Sequence, residues 1–242
     1  MMRLVADIAL PAPLSLLQPL PPNHRLGAQF DSEQDETPLL DALVDASGSV
    51  HAPFFFPGHK MGVGSPKRLR KLALRGALRY DLPELPELDN LFAPEGPILR
   101  AQVLAARAFC AERTWFLANG STAGVLASVL ACVQLWRHRQ QQPRGADGRS
   151  TTPIILLPRN AHKSVYHALV LSGAEPCWLP PEYNAASGLC LGVDPIAIAA
   201  ALARCGATAP SSSRVAACLL VSPTYEGVLT DVGAAAELCS VR

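Results

Sequence analysis

Residues 115–131, WFLANGSTAGVLASVLA, decide how the chain is read. A short apolar run, 115–118, meets Asn119-Gly120, and Ser121-Thr122 open a segment of helical character. The pattern predicts a strand over 114–118, a tight turn, and a helix N-terminus bearing two hydroxyls. Free amide N–H groups and the positive end of the helix dipole suit such a place to an anion. The same residues also suit an ordinary strand–helix connection with Ser121 or Thr122 as N-cap. Taken alone, the stretch leaves both readings open.

Working outward, strands are predicted over 154–157, 176–179 and 215–221. Helices are predicted from Ser121 to about Arg139, from about Ala161 to Gly173, from Asp194-Pro195 to before Gly206, and from Asp231 onward. Strands alternating with helices argue for a parallel sheet in a three-layer α/β/α domain. Right-handed crossovers then bring the C-terminal ends of all the strands to one edge. In open α/β sheets ligands bind at that edge. Three polar sets would converge there: Asn119-Gly120-Ser121-Thr122, Arg159-Asn160-Ala161-His162-Lys163-Ser164, and Ser222-Pro223-Thr224-Tyr225-Glu226-Gly227.

The totals bound the alternatives. A chain of 242 residues, 49% hydrophobic and 17% charged, can bury a core in one large domain or two small ones. Its formal net charge of +1 provides no global field for nucleic acid or an acidic membrane. The seven cysteines form neither CxxC nor a Cys/His cluster, so no metal site is expected. Unpaired cysteines in apolar segments point to a reducing, cytoplasmic setting. No apolar run reaches the ~18 residues of a membrane span.

Upstream, residues 1–36 read as a disordered leader, with an organellar (plastid) targeting peptide as the alternative. A helical and loop segment is expected over 37–110. Within it, HAPFFFPGHKMGVG at 51–64 is too rich in proline and glycine for regular structure, and its three phenylalanines should be buried. His59 and Lys60 sit at its tip. Ser65-Pro66 should cap a basic helix. The acids Asp81, Glu84, Glu87 and Asp89 should neutralise that helix locally, leaving a solvated face.

Six pieces of the chain carry a resemblance when taken together. They are FFPGHKMG at 55–62, LPELPELDNLFAPEGPI at 82–98, WFLANGSTAG at 115–124, LPRNAHKSVYHALVLSGAEP at 157–176, LPPEY at 179–183 and LLVSPTYEGVLTD at 219–231. In this order they resemble the ornithine/lysine/arginine decarboxylases, fold-type-I enzymes dependent on pyridoxal 5'-phosphate. The resemblance covers about residues 51–242 and makes 111–242 a partial cofactor-binding large domain, incomplete, of the aspartate-aminotransferase type. It implies decarboxylation of arginine, lysine or ornithine to a polyamine or its precursor. It also implies a homodimer or higher homo-oligomer in the complete protein.

By that resemblance Gly120, Ser121 and Thr122 look like the phosphate turn, and His162 like the ring stacked on the pyridine face. Thr224 looks like part of the cofactor's wall, and His59 and Lys60 would lie towards the active site or a dimer contact. Read on residues alone, Ser121 is an N-cap, His162 a helix-start surface residue and Thr224 a turn residue. The family's D-E-A-H and S-x-H-K motifs are not found, and the lysines are Lys60, Lys67, Lys71 and Lys163. Hence no catalytic lysine is assigned, and this stretch alone is expected to be inactive. The strand predicted over 114–118 should lack the neighbour it has in the family. A non-catalytic chain that binds a complete decarboxylase subunit is the alternative, and another fold-type-I reaction a weaker one.

Overall fold

The computed structural model describes residues 4–5, 32–49, 52–72, 74–139, 152–205 and 214–240. The chain divides into two compact units, 13–116 and 1–12 with 117–242.

The smaller unit is built on α1 (Pro38–Ser49), α2 (Lys67–Leu72) and α3 (Pro97–Ala108). α1 packs on α3, and Ala46 of α1 and Leu104 and Ala106 of α3 are buried. Charge fixes a 3-10 turn, Ser32–Asp35, to the outside of α3. Arg100 holds the Glu36 carboxylate through two hydrogen bonds of 2.6 and 2.8 Å, and Arg107 pairs with Glu33. This turn falls inside the stretch read as leader.

Two expectations fail in this unit. Phe54 and Phe56 are 92% and 84% exposed and Phe55 is half-buried, while the chain from 57 to 65 closes on itself in tight turns with His59 half-buried. Ser65 does not cap α2, since its buried hydroxyl has no hydrogen-bond partner. The basic helix stops at Leu72 and a 3-10 turn, Leu74–Arg79, follows. Its cations are exposed, as expected, but the acids nearby are engaged elsewhere. Asp81 binds His59 at 3.0 Å, Glu84 accepts the Leu91 amide, and Asp89 accepts backbone amides.

The larger unit is a sheet between two layers of helices. Its elements are β1 (Leu4–Val5), α4 (Gly120–Arg139), β2 (Ile154–Pro158), α5 (Lys163–Ser172), β3 (Glu175–Leu179), the hairpin β4 (Tyr183–Asn184) and β5 (Leu189–Cys190), α6 (Pro195–Arg204), β6 (Val215–Leu219) and α7 (Val232–Ser240). The order across the sheet is β1-β6-β2-β3. β6, β2 and β3 are parallel, with Leu156 flanked by Cys218 and Cys177, and β1 adds antiparallel to β6. Residues 4–5 are thus paired backbone.

Alternation along the strands divides the core in two, as a sheet covered on both faces requires. Ile155, Leu157, Ala217 and Leu219 pack with Val125, Val129 and Val133 of α4 and Val165 and Ala168 of α5. Ile154, Leu156, Cys218 and Leu179 pack with Ile198 and Ala201 of α6 and Ala235 of α7. This is the expected α/β/α layering. Residues 114–118, predicted as a strand, are not one: among the described residues no backbone forms a ladder with them. Apolar character supplied the side chains of a strand but could not supply a neighbour. Trp115 is accordingly 64% exposed.

Candidate functional site

The parallel strands point their C-terminal ends at one edge, and the chain leaves that edge differently at each. After β2 it turns through Arg159 and Asn160 into α5. His162 is the N-cap, and its Nδ1 accepts from the Ser164 amide at 3.2 Å. An amide can only donate, so this bond leaves Nδ1 unprotonated and puts the ring proton on Nε2. The Ser164 hydroxyl, buried, lies 2.9 Å from the same nitrogen and holds it from a second direction. The imidazole is therefore exposed but fixed in plane and tautomer.

The turn itself is pinned from α5. Tyr166 donates its hydroxyl to the Arg159 carbonyl at 2.9 Å and sets its ring 5.6 Å from that of Trp178 on β3. The Arg159 guanidinium lies over the same indole at 5.9 Å. Lys163 projects from the exposed first turn of α5, beside His162.

After β6 the chain forms a closed loop. Thr224 donates its amide to the Val228 carbonyl at 2.7 Å, and its hydroxyl accepts the Val228 amide at 3.2 Å. Ser222 and Thr230 join the loop's ends, the Ser222 hydroxyl accepting the Thr230 amide at 3.1 Å. Thr224 is buried in this clip, whereas Tyr225 next to it is fully exposed. Its turn role is complete in itself.

The third element is the start of α4. Gly120 takes φ +65, which an L side chain rarely adopts, and a Cβ there would meet nothing within 4 Å. Ser121 and Thr122 are exposed, and neither hydroxyl has a partner among the described residues. Arg137, near the end of α4, donates to the Ser172 carbonyl at the end of α5 at 2.9 Å. The two helices therefore run side by side in the same direction, and both N-termini face the strands' C-terminal edge. The edge thus gathers unpartnered hydroxyls at a helix start, a fixed imidazole and a rigid loop.

Gly120, Ser121, Thr122, His162 and Thr224 all lie on elements that meet at this edge. His59 and Lys60 belong to the smaller unit, and their bonds are made within it: Nε2 of His59 to Asp81, and Nζ of Lys60 to the Phe55 carbonyl. In the sequence Ser164 stands only as one member of the polar set 159–164 and Tyr166 has no assigned role, yet both orient the turn. The available signal was a hydroxyl two residues after a histidine at a helix start.

The family model described as Orn/Lys/Arg decarboxylase, major domain, matches residues 37–241. An arginine decarboxylase of Halalkalibacterium halodurans is 31% identical over 87% of this chain and 38% of its own length. The arginine decarboxylase of Bacillus subtilis is 33% identical over 85% of this chain and 37% of its own. Among solved structures, the constitutive lysine decarboxylase of Escherichia coli superposes with a TM-score of 0.51 at 26% identity, over 69% of this chain and 23% of its own. Lysine decarboxylase A of Pseudomonas aeruginosa gives 0.50 at 30% identity, over 69% and 22%. The chain thus spans well under half the length of the relatives it matches, and it belongs to the Orn/Lys/Arg decarboxylase family, within the major domain.

Proposed function

We propose that the larger unit carries the phosphate and ring end of a pyridoxal 5'-phosphate site, in a decarboxylase that acts on arginine, lysine or ornithine. The observation that carries this is the shared edge of α4 and α5, one helix start with unpartnered donors and the next with a fixed imidazole. The donor set suits a phosphate. Among the described residues the first-turn amides of α4 and the hydroxyls of Ser121 and Thr122 have no partner, and the helix dipole is aligned with them.

Pyridoxal phosphate, when bound, supplies the electron sink that loss of an α-carboxylate requires. The chain's own residues would bind and orient it. Gly120, Ser121 and Thr122 would hold the phosphate, His162 would lie flat against the ring, and Thr224 would keep its loop closed as a wall. The Ser164 contacts keep the His162 imidazole in one plane, which a stacking role needs. The relatives named as arginine and lysine decarboxylases support a basic amino acid as substrate and an amine as product. In the complete protein the site would sit in a homo-oligomer.

The test is equilibrium binding of pyridoxal phosphate to this chain, read by the cofactor's absorbance, with inorganic phosphate as competitor. Carbon dioxide release is then measured from each of the three amino acids. Binding that phosphate displaces, and that Thr122→Val weakens about tenfold, a change of about 1.4 kcal/mol, supports the site. Binding indifferent to both removes it.

A further inference from the structure

On the sheet face opposite α4 and α5, four of the seven cysteines share one apolar cluster with α6 and α7. Cys218 is buried in it, and Cys177, Cys205 and Cys239 pack against it half-buried. They meet in two pairs, each joining a strand to the C-terminal end of a helix. The thiol of Cys177 on β3 hydrogen-bonds that of Cys205, which follows α6, and Cys218 on β6 hydrogen-bonds Cys239 in the last turn of α7. Leu156 separates the two strand cysteines in the sheet register. Among the described residues no three His, Cys, Asp or Glu are grouped to hold a metal ion, so the pairs stand as dithiols.

The pairs differ in access and in their charged neighbours. Cys218 is 3% exposed, and its hydrogen bond to Cys239, together with burial, pushes its thiol far above the usual range. Cys177 and Cys205 are both half-exposed. Burial, then the Cys177 hydrogen bond, push Cys205 up to about 11, while the guanidiniums of Arg204 and Arg214 pull the other way. Cys177 and Cys205 are therefore the pair in which both sulfurs reach solvent, the access that exchange with an added disulfide requires, and two guanidiniums lie beside them.

We propose that Cys177 and Cys205 are a dithiol that a low-molecular-weight disulfide oxidises to an intrachain disulfide, stapling the end of α6 to β3, while Cys218 and Cys239 stay reduced. The sulfur of Cys177 loses its proton and attacks one sulfur of the added disulfide. One molecule of free thiol leaves and a mixed disulfide remains. Capping Cys177 removes its hydrogen bond to Cys205, one of the causes that raise that thiol, and Cys205 loses its proton to solvent with Arg204 and Arg214 beside it. Cys205 then attacks the Cys177 sulfur and expels the second thiol. Two protein thiols are oxidised by two electrons, and the reagent is reduced to two thiols. Reaction at this place leaves the strands' C-terminal edge untouched.

The reduced native chain is incubated with oxidised glutathione, alkylated, digested without reduction and mapped by mass. The expected result is a Cys177–Cys205 crosslink, a mass loss of about 2 Da before alkylation of the remaining thiols, and a thermal midpoint raised by several degrees. Cys205→Ser should lose the crosslink and retain glutathione on Cys177, and Cys218→Ala should keep the crosslink. Alkylation of both Cys177 and Cys205 after oxidation overturns the proposal. So does preferential crosslinking of Cys218 to Cys239, or a crosslink that persists in Cys205→Ser.

Discussion

The Asp89 carboxylate accepts the Gly96 amide at 2.7 Å, and the same side chain organises the whole loop into α3. Its two oxygens also take the amides of Asn90 and Glu95 at 2.8 and 2.9 Å, and those of Ile98 and Leu99 at 3.1 and 3.4 Å. Gly96 itself offers no capping side chain, so Asp89, seven residues earlier, does the work of an N-cap. The charge also sits at the positive end of the helix. Asp89→Ala should therefore cost about 2 kcal/mol by leaving several amides without an acceptor, and Asp89→Asn somewhat less. Urea denaturation of both variants checks this, and an unchanged midpoint would remove Asp89 from the account.

The same carboxyl makes a pH prediction. Burial disfavours its charged form, but the amides of Glu95, Asn90, Gly96 and Leu99 outweigh that and hold it down to about 2, from an ordinary 3.8. A depressed carboxyl stabilises the fold fully above its unfolded value and loses that contribution as pH falls through the folded one. The stability difference between the native chain and Asp89→Asn should thus be constant above about pH 5 and shrink between about pH 4 and 2. Parallel urea titrations across that range would show it. A difference that grows on acidification contradicts the sign.

Gly192 is required for close approach. A Cβ there would lie 2.8 Å from the Thr230 hydroxyl, 3.2 Å from the Leu229 carbonyl and 3.3 Å from the Thr230 Cα. Two of these are backbone atoms and cannot swing aside. The Thr230 hydroxyl also accepts the Val193 amide at 3.4 Å, so displacing it breaks a buried contact. Gly192→Ala should cost about 1–3 kcal/mol in thermal or chemical unfolding. Gly48→Ala, where nothing lies within 4 Å, is the comparison that should not.

Sequence reading succeeded where the cause of structure is local. Asp194 caps α6 by accepting the Ile196 amide, Asp231 accepts the Ala234 amide at the head of α7, and Gly173 ends α5 at φ +67. Each follows from a side chain acting within four residues of itself. The apolar strands 154–158 and 215–219 were legible for a related reason, since burial on both faces leaves an unbroken apolar run. Failures came where the partner is distant. Residues 114–118 have strand composition without a neighbouring strand, Ser65 has a cap's identity without its geometry, and Phe54 and Phe56 lie on turns that leave them exposed. At the site, the sequence singled out His162 but not Ser164, whose amide and hydroxyl determine how the ring is held. That relation is a geometry of one turn, and residue identity alone does not contain it.

His162 carries two separable roles, and the choice of substitution can divide them. As N-cap it offers Nδ1 to the Ser164 amide, a task that an asparagine carbonyl performs equally well. As the proposed ring partner it offers a flat π-system, which asparagine lacks. His162→Asn should therefore leave stability within about 0.5 kcal/mol of the native chain, because the cap survives. Its affinity for pyridoxal phosphate should fall about tenfold, because the stacking face is gone. His162→Ala should lose both, with a stability cost of about 1 kcal/mol. Ser164→Ala keeps the amide contact and the ring but frees one restraint, so its binding should fall between the native chain and His162→Asn. Absorbance titration with the cofactor, run beside urea denaturation of each variant, separates these outcomes. If His162→Asn binds the cofactor as the native chain does, the imidazole acts as a cap alone.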